Sequence, residues 1–427
     1  MGKKLFSLCM ALVLCLGLLP VTALAAEEIK LFIGGQQITE SGCYENQNGT
    51  WTKVDGTEPA SGQFYYDADT VTLTLNGAEI SHNENVCVGS DTYYYGSVIA
   101  FSQSADVSLN IVVSQRTSTI TGNGGIRVMS EAGDASLSIS GPGSLEVKNV
   151  SNDSGIVLIG SKNVNLGINS ADVTISDVQY YGVNLAAGDE CKSTATINDG
   201  NLTVSDSVVG IYFMRLYTSG PSSLTVSGNA VVDTRNSQIM AQNKETVVQV
   251  GAGSDGNGGI VFNGKSGTVY GDVTLQEDLE IGKDETLTIG KDASLTVPDG
   301  KTLTNNGTIN VESGGKLEGT TTGNGTLKIA PTITTQPQDV EVKENETATF
   351  NVKVTGTEPL SYQWQQSTDN GSNWTEITGE TNTTYTTGKT TMDMNGTQYR
   401  CVVKNSIDEV TSDAATLTVT ALPEPEP

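Results

Sequence analysis

Tyrosines recur in this chain at places where they can do chemistry. Tyr93-Tyr94-Tyr95-Gly96 and Tyr180-Tyr181-Gly182 are aromatic runs that end on glycine, and Tyr212 and Tyr217 follow. Lined up along one edge of a fold, phenol rings present flat apolar faces on which the C–H faces of sugars pack. Neighbouring Asn and Asp then take the hydroxyls. Tyr93, Tyr94, Tyr95, Tyr180, Tyr181 and Tyr212 are therefore the candidate ligand-binding residues. The competing reading, which general burial tendencies favour, has the same rings capping corners and packing on loops.

Catalytic chemistry finds less support. His82 is the only histidine, so a His-based dyad, triad or His-rich metal site cannot be built. Within Ile80-Ser-His-Asn83 it reads as a surface turn residue. Beyond the first 26 residues the arginines are Arg116, Arg127, Arg215, Arg235 and Arg400. A carboxylate pair is compatible with so many Asp and Glu, but sequence does not reveal their separation. Gly122-Asn-Gly-Gly125 and Gly256-Asn-Gly-Gly259 precede no helix and read as corners rather than phosphate loops. Asp153 and Gly188-Asp-Glu190 offer oxygens to calcium, a possible cofactor, although their spacing matches no calcium-loop motif. No other cofactor or metal is expected. Cys43, Cys87, Cys191 and Cys401 lie far apart without a CxxC, and only Cys43 with Cys87 is considered as a disulfide.

Charge narrows the partners. The chain holds 23 Lys and Arg against 49 Asp and Glu, a net charge of −26. That field repels phosphate backbones and anionic lipid, so no nucleic-acid partner is expected. Lys3 and Lys4, the apolar run Leu5–Leu19, and Pro20 with Ala23, Ala25 and Ala26 form a secretory signal over 1–26. Its run is short for a membrane span, and none is expected after its removal. The mature chain is expected outside the cell, secreted or at the cell surface.

The elements that must carry these residues follow from a repeat. Ser108-Leu-Asn-Ile111, Ser136-Leu-Ser-Ile139, Asn165-Leu-Gly-Ile168, Thr194-Ala-Thr-Ile197 and Ser223-Leu-Thr-Val226 form one series. Leu145-Glu-Val147, Val173-Thr-Ile175 and Leu202-Thr-Val204 form a second. Gly125-Ile-Arg-Val128, Gly155-Ile-Val-Leu158, Gly182-Val-Asn-Leu185 and Gly210-Ile-Tyr-Phe213 form a third. Each motif alternates apolar and polar residues, the mark of a strand with one buried face. One repeat of about 29 residues cannot bury three such strands, but stacked repeats can. The chain is therefore expected to be all-β. A right-handed parallel β-helix with three strands per coil should come first, and tighter coils of about 22 to 24 residues should continue it. The recurring glycine before the third strand suggests a corner needing a permissive backbone. The expected division is 27–70 for inbound strands and a cap, 71–250 for long coils, and 251–330 for short coils. An immunoglobulin-like β-sandwich over 331–421 and a Pro/Glu tail over 422–427 complete it.

Two resemblances refine this. Tyr362-Gln-Trp364 suits a core strand with its Trp, Asn395-Gly-Thr-Gln-Tyr-Arg-Cys401 suits a tyrosine corner, and Val352 stands where a partner cysteine belongs. Residues 333–421 thus resemble the bacterial immunoglobulin-like domains of Gram-positive surface proteins, carried by Leu360–Trp374 and the NGTQYRC stretch. That resemblance implies a spacer or adhesive unit, with Cys401 a buried thiol. Residues 71–330 resemble the pectate-lyase-like β-helix superfamily in periodicity. The hydrolase branch of that superfamily implies NTD, DD, GHG and RIK motifs, and none occurs. The leading expectation is an exported non-catalytic surface protein whose β-helix serves adhesion or glycan binding. Its partners would be a polysaccharide or host glycan, or cell-wall or surface proteins. A polysaccharide lyase or hydrolase and a purely structural envelope protein are the alternatives.

Overall fold

The computed structural model describes residues 29–84, 86–87, 93–94, 96–102, 105–215, 221–242, 249–252 and 258–422. Residues 1–28, Tyr95, Tyr217 and residues 423–427 lie outside them. Among the described residues the fold is all-β save one 3₁₀ turn, Met392–Met394. Three long sheets of 10, 11 and 8 strands dominate, and most of their strands run parallel.

The three motif series lie in different sheets. Leu109, Leu137, Leu166, Ala195 and Leu224 stand in register across sheet I. Leu145, Val173 and Leu202 do so across sheet II. Ile126, Ile156, Val183 and Ile211 do so across sheet III. Their side chains converge on one dry core, as the alternation requires. Corners are held by side-chain oxygens that accept an N–H from the next repeat. Asp134 Oδ1 accepts from the Asn163 N–H and Asn163 Oδ1 from the Lys192 N–H, both at 2.9 Å. Asn149, Asp177 and Asp206 take left-handed φ of 54°, 51° and 50° at equivalent corners.

The glycines of the third series have a different cause from the one expected. None of Gly125, Gly155 and Gly182 has a positive φ. Neighbouring repeats approach too closely for a side chain. A Cβ on Gly125 would strike the Gly155 carbonyl, and one on Gly155 would strike Ile175.

Antiparallel strands close the first end. Gly42–Gln47 and Gln63–Asp67 pair with each other, and the latter pairs with Thr72–Asn76, the start of the parallel stack. Trp51 and Tyr44 pack on Phe64 with ring centroids 4.7 and 5.1 Å away, and all three belong to the main core. His82 is not a turn residue. It ends strand Glu79–His82, its ring lies against Gly35, and its buried Nε2 has no partner. Cys43 is a free buried thiol, so no bridge to Cys87 exists.

The change of repeat length is accompanied by a change of direction. Gly259–Asn263 is the last strand of the first stack in sheet II, and Ser266–Tyr270 returns antiparallel to it. Thr286–Ile289, Thr308–Val311 and Thr326–Ile329 then run parallel to the returned strand. The core switches faces at the same place. Val261 faces the first core, whereas Ile260 and Phe262 face a second that includes Leu287, Ile289 and Ile309. Reversal alone would invert the sense of winding; the switch of face inverts it again, so the sense is kept. The short repeats thus stack beside the first axis and share sheet II with it, rather than continuing on that axis.

Arg235 seals this seam. Its guanidinium lies 4.6 Å from the Phe262 ring centroid, grips Asp233 through Nε and Nη2, and donates from Nη1 to the Glu280 carbonyl at 2.7 Å. At the far end Leu327 and Ile329 pair with the buried Ile309 and Val311 yet stay exposed, because no further repeat covers them.

The immunoglobulin-like sandwich begins there. Trp364 pairs with Cys401 in register, and both are fully buried with Tyr399. Burial pushes the free Cys401 thiol up to about 11. Asn405 Nδ2 donates to the Ile329 carbonyl at 2.8 Å and to the Thr357 carbonyl at 3.0 Å, tying the sandwich to the last short repeat.

Candidate functional site

The outer face of sheet III is where sequence and structure meet. Val183, Leu185, Ile211 and Phe213 point inward, so Asn184 and Tyr212 point outward. Register extends that outward row as Ile99, Arg127, Val157, Asn184, Tyr212 and Met240. The row is unusual for the outside of a solenoid. Ile99 and Val157 are buried, and Met129 one step along is buried too, packed with Ile99 and Phe32.

Toward the later repeats the face opens. Tyr212 stacks on Tyr181, centroids 4.6 Å apart at 17°. Burial, then the charge that an ionised Tyr181 would carry, raises the Tyr212 phenol above its ordinary range. Tyr180 stands 37% exposed at the adjoining corner, and Val208 of the next repeat is 71% exposed. The Val208 N–H donates to the Tyr180 carbonyl at 2.9 Å, which fixes the two side by side. Met240, in register with Tyr212, is 40% exposed. Such clustering of exposed apolar groups, with rims of polar side chains, marks a contact surface more than scattered exposure does.

Of the six candidate tyrosines, the structure gathers three here: Tyr180, Tyr181 and Tyr212. Tyr93 and Tyr94 form a short strand paired with Val86–Cys87, and nothing further is described of their side chains. Tyr95 lies outside the described residues. Val208, Met240 and Asn184 were missed by the search for aromatics. The row spacing of the repeat could have found Met240 and Asn184, since both occupy the slot of Tyr212.

Two polar features share the face. The Arg127 guanidinium pairs with the Asp153 carboxylate, and both are mostly buried. Asp153 is thus taken up by a cation of its own chain. Asn184 is only 8% exposed and its Oδ1 has no hydrogen-bond partner. Most buried polar atoms find one. Among the described residues no group of three or more His, Cys, Asp or Glu is arranged to hold a metal ion.

A family described as a domain of unknown function (DUF8696) matches residues 330–421. The chain is 36% identical over 90 residues to Endoglucanase C of Cellulomonas fimi, a stretch that is 21% of this chain and 8% of that protein. The chain therefore spans a small fraction of that relative. Among solved structures, a chimeric titin Z1Z2 carrying an exogenous decorin peptide aligns at 27% identity over 22% of this chain and 98% of that one, with a TM-score of 0.19. The first two immunoglobulin domains of DIP-gamma align at 18% identity over 23% of this chain and 51% of theirs, also with a TM-score of 0.19. These structural neighbours are immunoglobulin domains. Among the described residues no helix is long and apolar enough to cross a membrane.

Proposed function

We propose that the protein is an exported, non-catalytic binding protein that takes a glycan on the open part of the outer face of sheet III. One observation carries this reading: the Tyr181–Tyr212 stack has exposed Met240 in register with it and exposed Tyr180 and Val208 at the adjoining corners. Aromatic rings beside aliphatic groups and an amide are the surface on which sugars pack. Strands that visit three sheets in turn are read as coils of a right-handed β-helix, the hand that parallel crossovers take. Such a rod suits display, with the immunoglobulin-like domain as its spacer. The match to an endoglucanase supports a carbohydrate context, and the signal segment supports export.

Gel retardation of the protein in neutral polysaccharides tests this. Wild-type chain should be slowed, and Tyr212→Ala and Tyr180→Ala should restore free mobility. Equal retardation of all three would remove the patch from the reading.

A lyase or hydrolase is the second reading, favoured by the Arg127–Asp153 pair and the endoglucanase match. Its mark would be new reducing ends released from a polymer and lost in Asp153→Asn. The pair itself weighs against it, because Asp153 already engages the Arg127 guanidinium and both are mostly buried.

A further inference from the structure

We infer that the ligand of this face is an uncharged saccharide, and that the Asn184 amide is the group that reads one of its hydroxyls. The inference rests on the glycan reading of the patch and adds the chemical class and the polar contact. Asn184 sits in register beside Tyr212 on the outward row, one repeat from the Tyr181–Tyr212 stack's outer ring. Its buried Oδ1 has no hydrogen-bond partner, so the free protein leaves an acceptor unmet that a ligand donor reaches when the side chain turns toward the open face. An acceptor is satisfied only by a donor. A sugar hydroxyl donates and accepts, so it serves either end of the amide, whichever a half-turn about the side chain presents. A uronate or a sulfated sugar has hydroxyls too, so the class is decided by its anionic group, which the lone pairs of Oδ1 repel.

Charge points the same way. The one described cation on this row, Arg127, is already bound to Asp153. The chain as a whole carries −26, which repels polyanions. The remaining row members, Ile99, Val157, Tyr212 and Met240, are uncharged.

The experiment measures affinity of the full chain for neutral polymers (galactomannan, xyloglucan, mixed-linkage β-glucan) and for polygalacturonate and hyaluronate. Three proteins are compared: wild type, Asn184→Leu and Tyr212→Ala. Wild type should bind at least one neutral polymer and neither acidic one. Asn184→Leu should weaken that binding about tenfold, the worth of one neutral hydrogen bond, while its thermal midpoint holds or rises because an unmet amide has gone. Neutral binding that Tyr212→Ala abolishes but Asn184→Leu leaves intact overturns the inference and leaves the patch standing. Binding indifferent to both variants overturns the patch as well. Tight binding of an acidic polymer overturns the uncharged class. No binding to any of the five overturns both readings. A midpoint that falls in Asn184→Leu along with affinity would make Asn184 a packing residue, and Asn184→Ala then separates lost volume from the lost amide.

Discussion

Replacing Arg235 by Ala should loosen the seam between the two stacks more than an ordinary surface change would. In the native chain Arg235 Nε lies 2.9 Å and Nη2 2.6 Å from Asp233 Oδ2, and Nη1 lies 3.3 Å from Glu285 Oε2. The guanidinium also covers Phe262, a fully buried member of the second core. Arg235 is about one-quarter exposed and both carboxylates are less so. Exposed pairs contribute roughly 0–1 kcal/mol, while breaking a fully buried pair costs about 3–5 kcal/mol. Partial exposure places the loss at about 2 kcal/mol, with up to about 1 more from the cation–π contact. Asp233 and Glu285 would then both lose their shared cation. Denaturant unfolding of Arg235→Ala, read beside hydrogen exchange at residues 259–263 and 279–289, measures this. Exchange should rise there and stay unchanged at 107–150. An Arg235→Met/Asp233→Asn double variant should recover part of the loss by removing the cation together with one of the carboxylates. A midpoint within about 0.5 kcal/mol of wild type and unchanged exchange would refute the sealing role.

Other consequences are as direct. Gly155→Ala should cost about 1–3 kcal/mol by overpacking, since its Cβ would meet Ile175 and the Gly182 carbonyl; Gly251→Ala, with nothing within 4 Å, should be near neutral. Calorimetry of the two variants checks the contrast. Asn405→Ala removes the two bonds its Nδ2 donates at the junction and the two its Oδ1 accepts from the Ile407 and Asp408 N–H groups, a loss of about 2–4 kcal/mol, and small-angle scattering should show a wider range of interdomain angles; an unchanged profile would count against a fixed junction. The sandwich should lose stability as pH rises from 9 toward 11, because the unfolded Cys401 thiol ionises near 9.0 and the folded one only at about 11. Buried Tyr385 and Tyr399, both raised by burial, act in the same direction. Cys401 should accordingly resist thiol reagents at pH 8 until the domain unfolds; rapid labelling of native protein would contradict this.

The exposed end at Leu327 and Ile329 gives the immunoglobulin-like domain a physical task. A parallel stack that simply stopped would present unpaired strand edges to other chains. Here Thr357 receives and supplies hydrogen bonds at Ile329, and Asn405 adds another. Part of the last strand's backbone is therefore engaged, although its apolar side chains are not covered.

Much of this architecture could be read from residue spacing alone, because a period of two along each strand and a repeat between strands are both properties of the chain. Leu109, Leu137 and Leu166 share a slot in the sequence and a ladder in the structure for that reason. Trp364, Tyr399 and Cys401 were legible as a sandwich core by their mutual spacing. Other features depend on which face of a strand meets which core, and spacing does not encode that. Ile260 and Val261 are adjacent apolar residues; only their packing shows that they serve different cores. Gly155 reads as a flexible corner, but it is small because a neighbouring carbonyl lies close. Tyr180 and Val208 are 28 positions apart and unlike in type, yet the coil sets them side by side. Asp153 and Arg127 are joined across a turn whose path the sequence leaves open. The sequence by itself determined the strands and their register. The tertiary structure alone decided the seam, the buried amide of Asn184 and the exposure of the patch, since each is a relation between surfaces rather than along the chain.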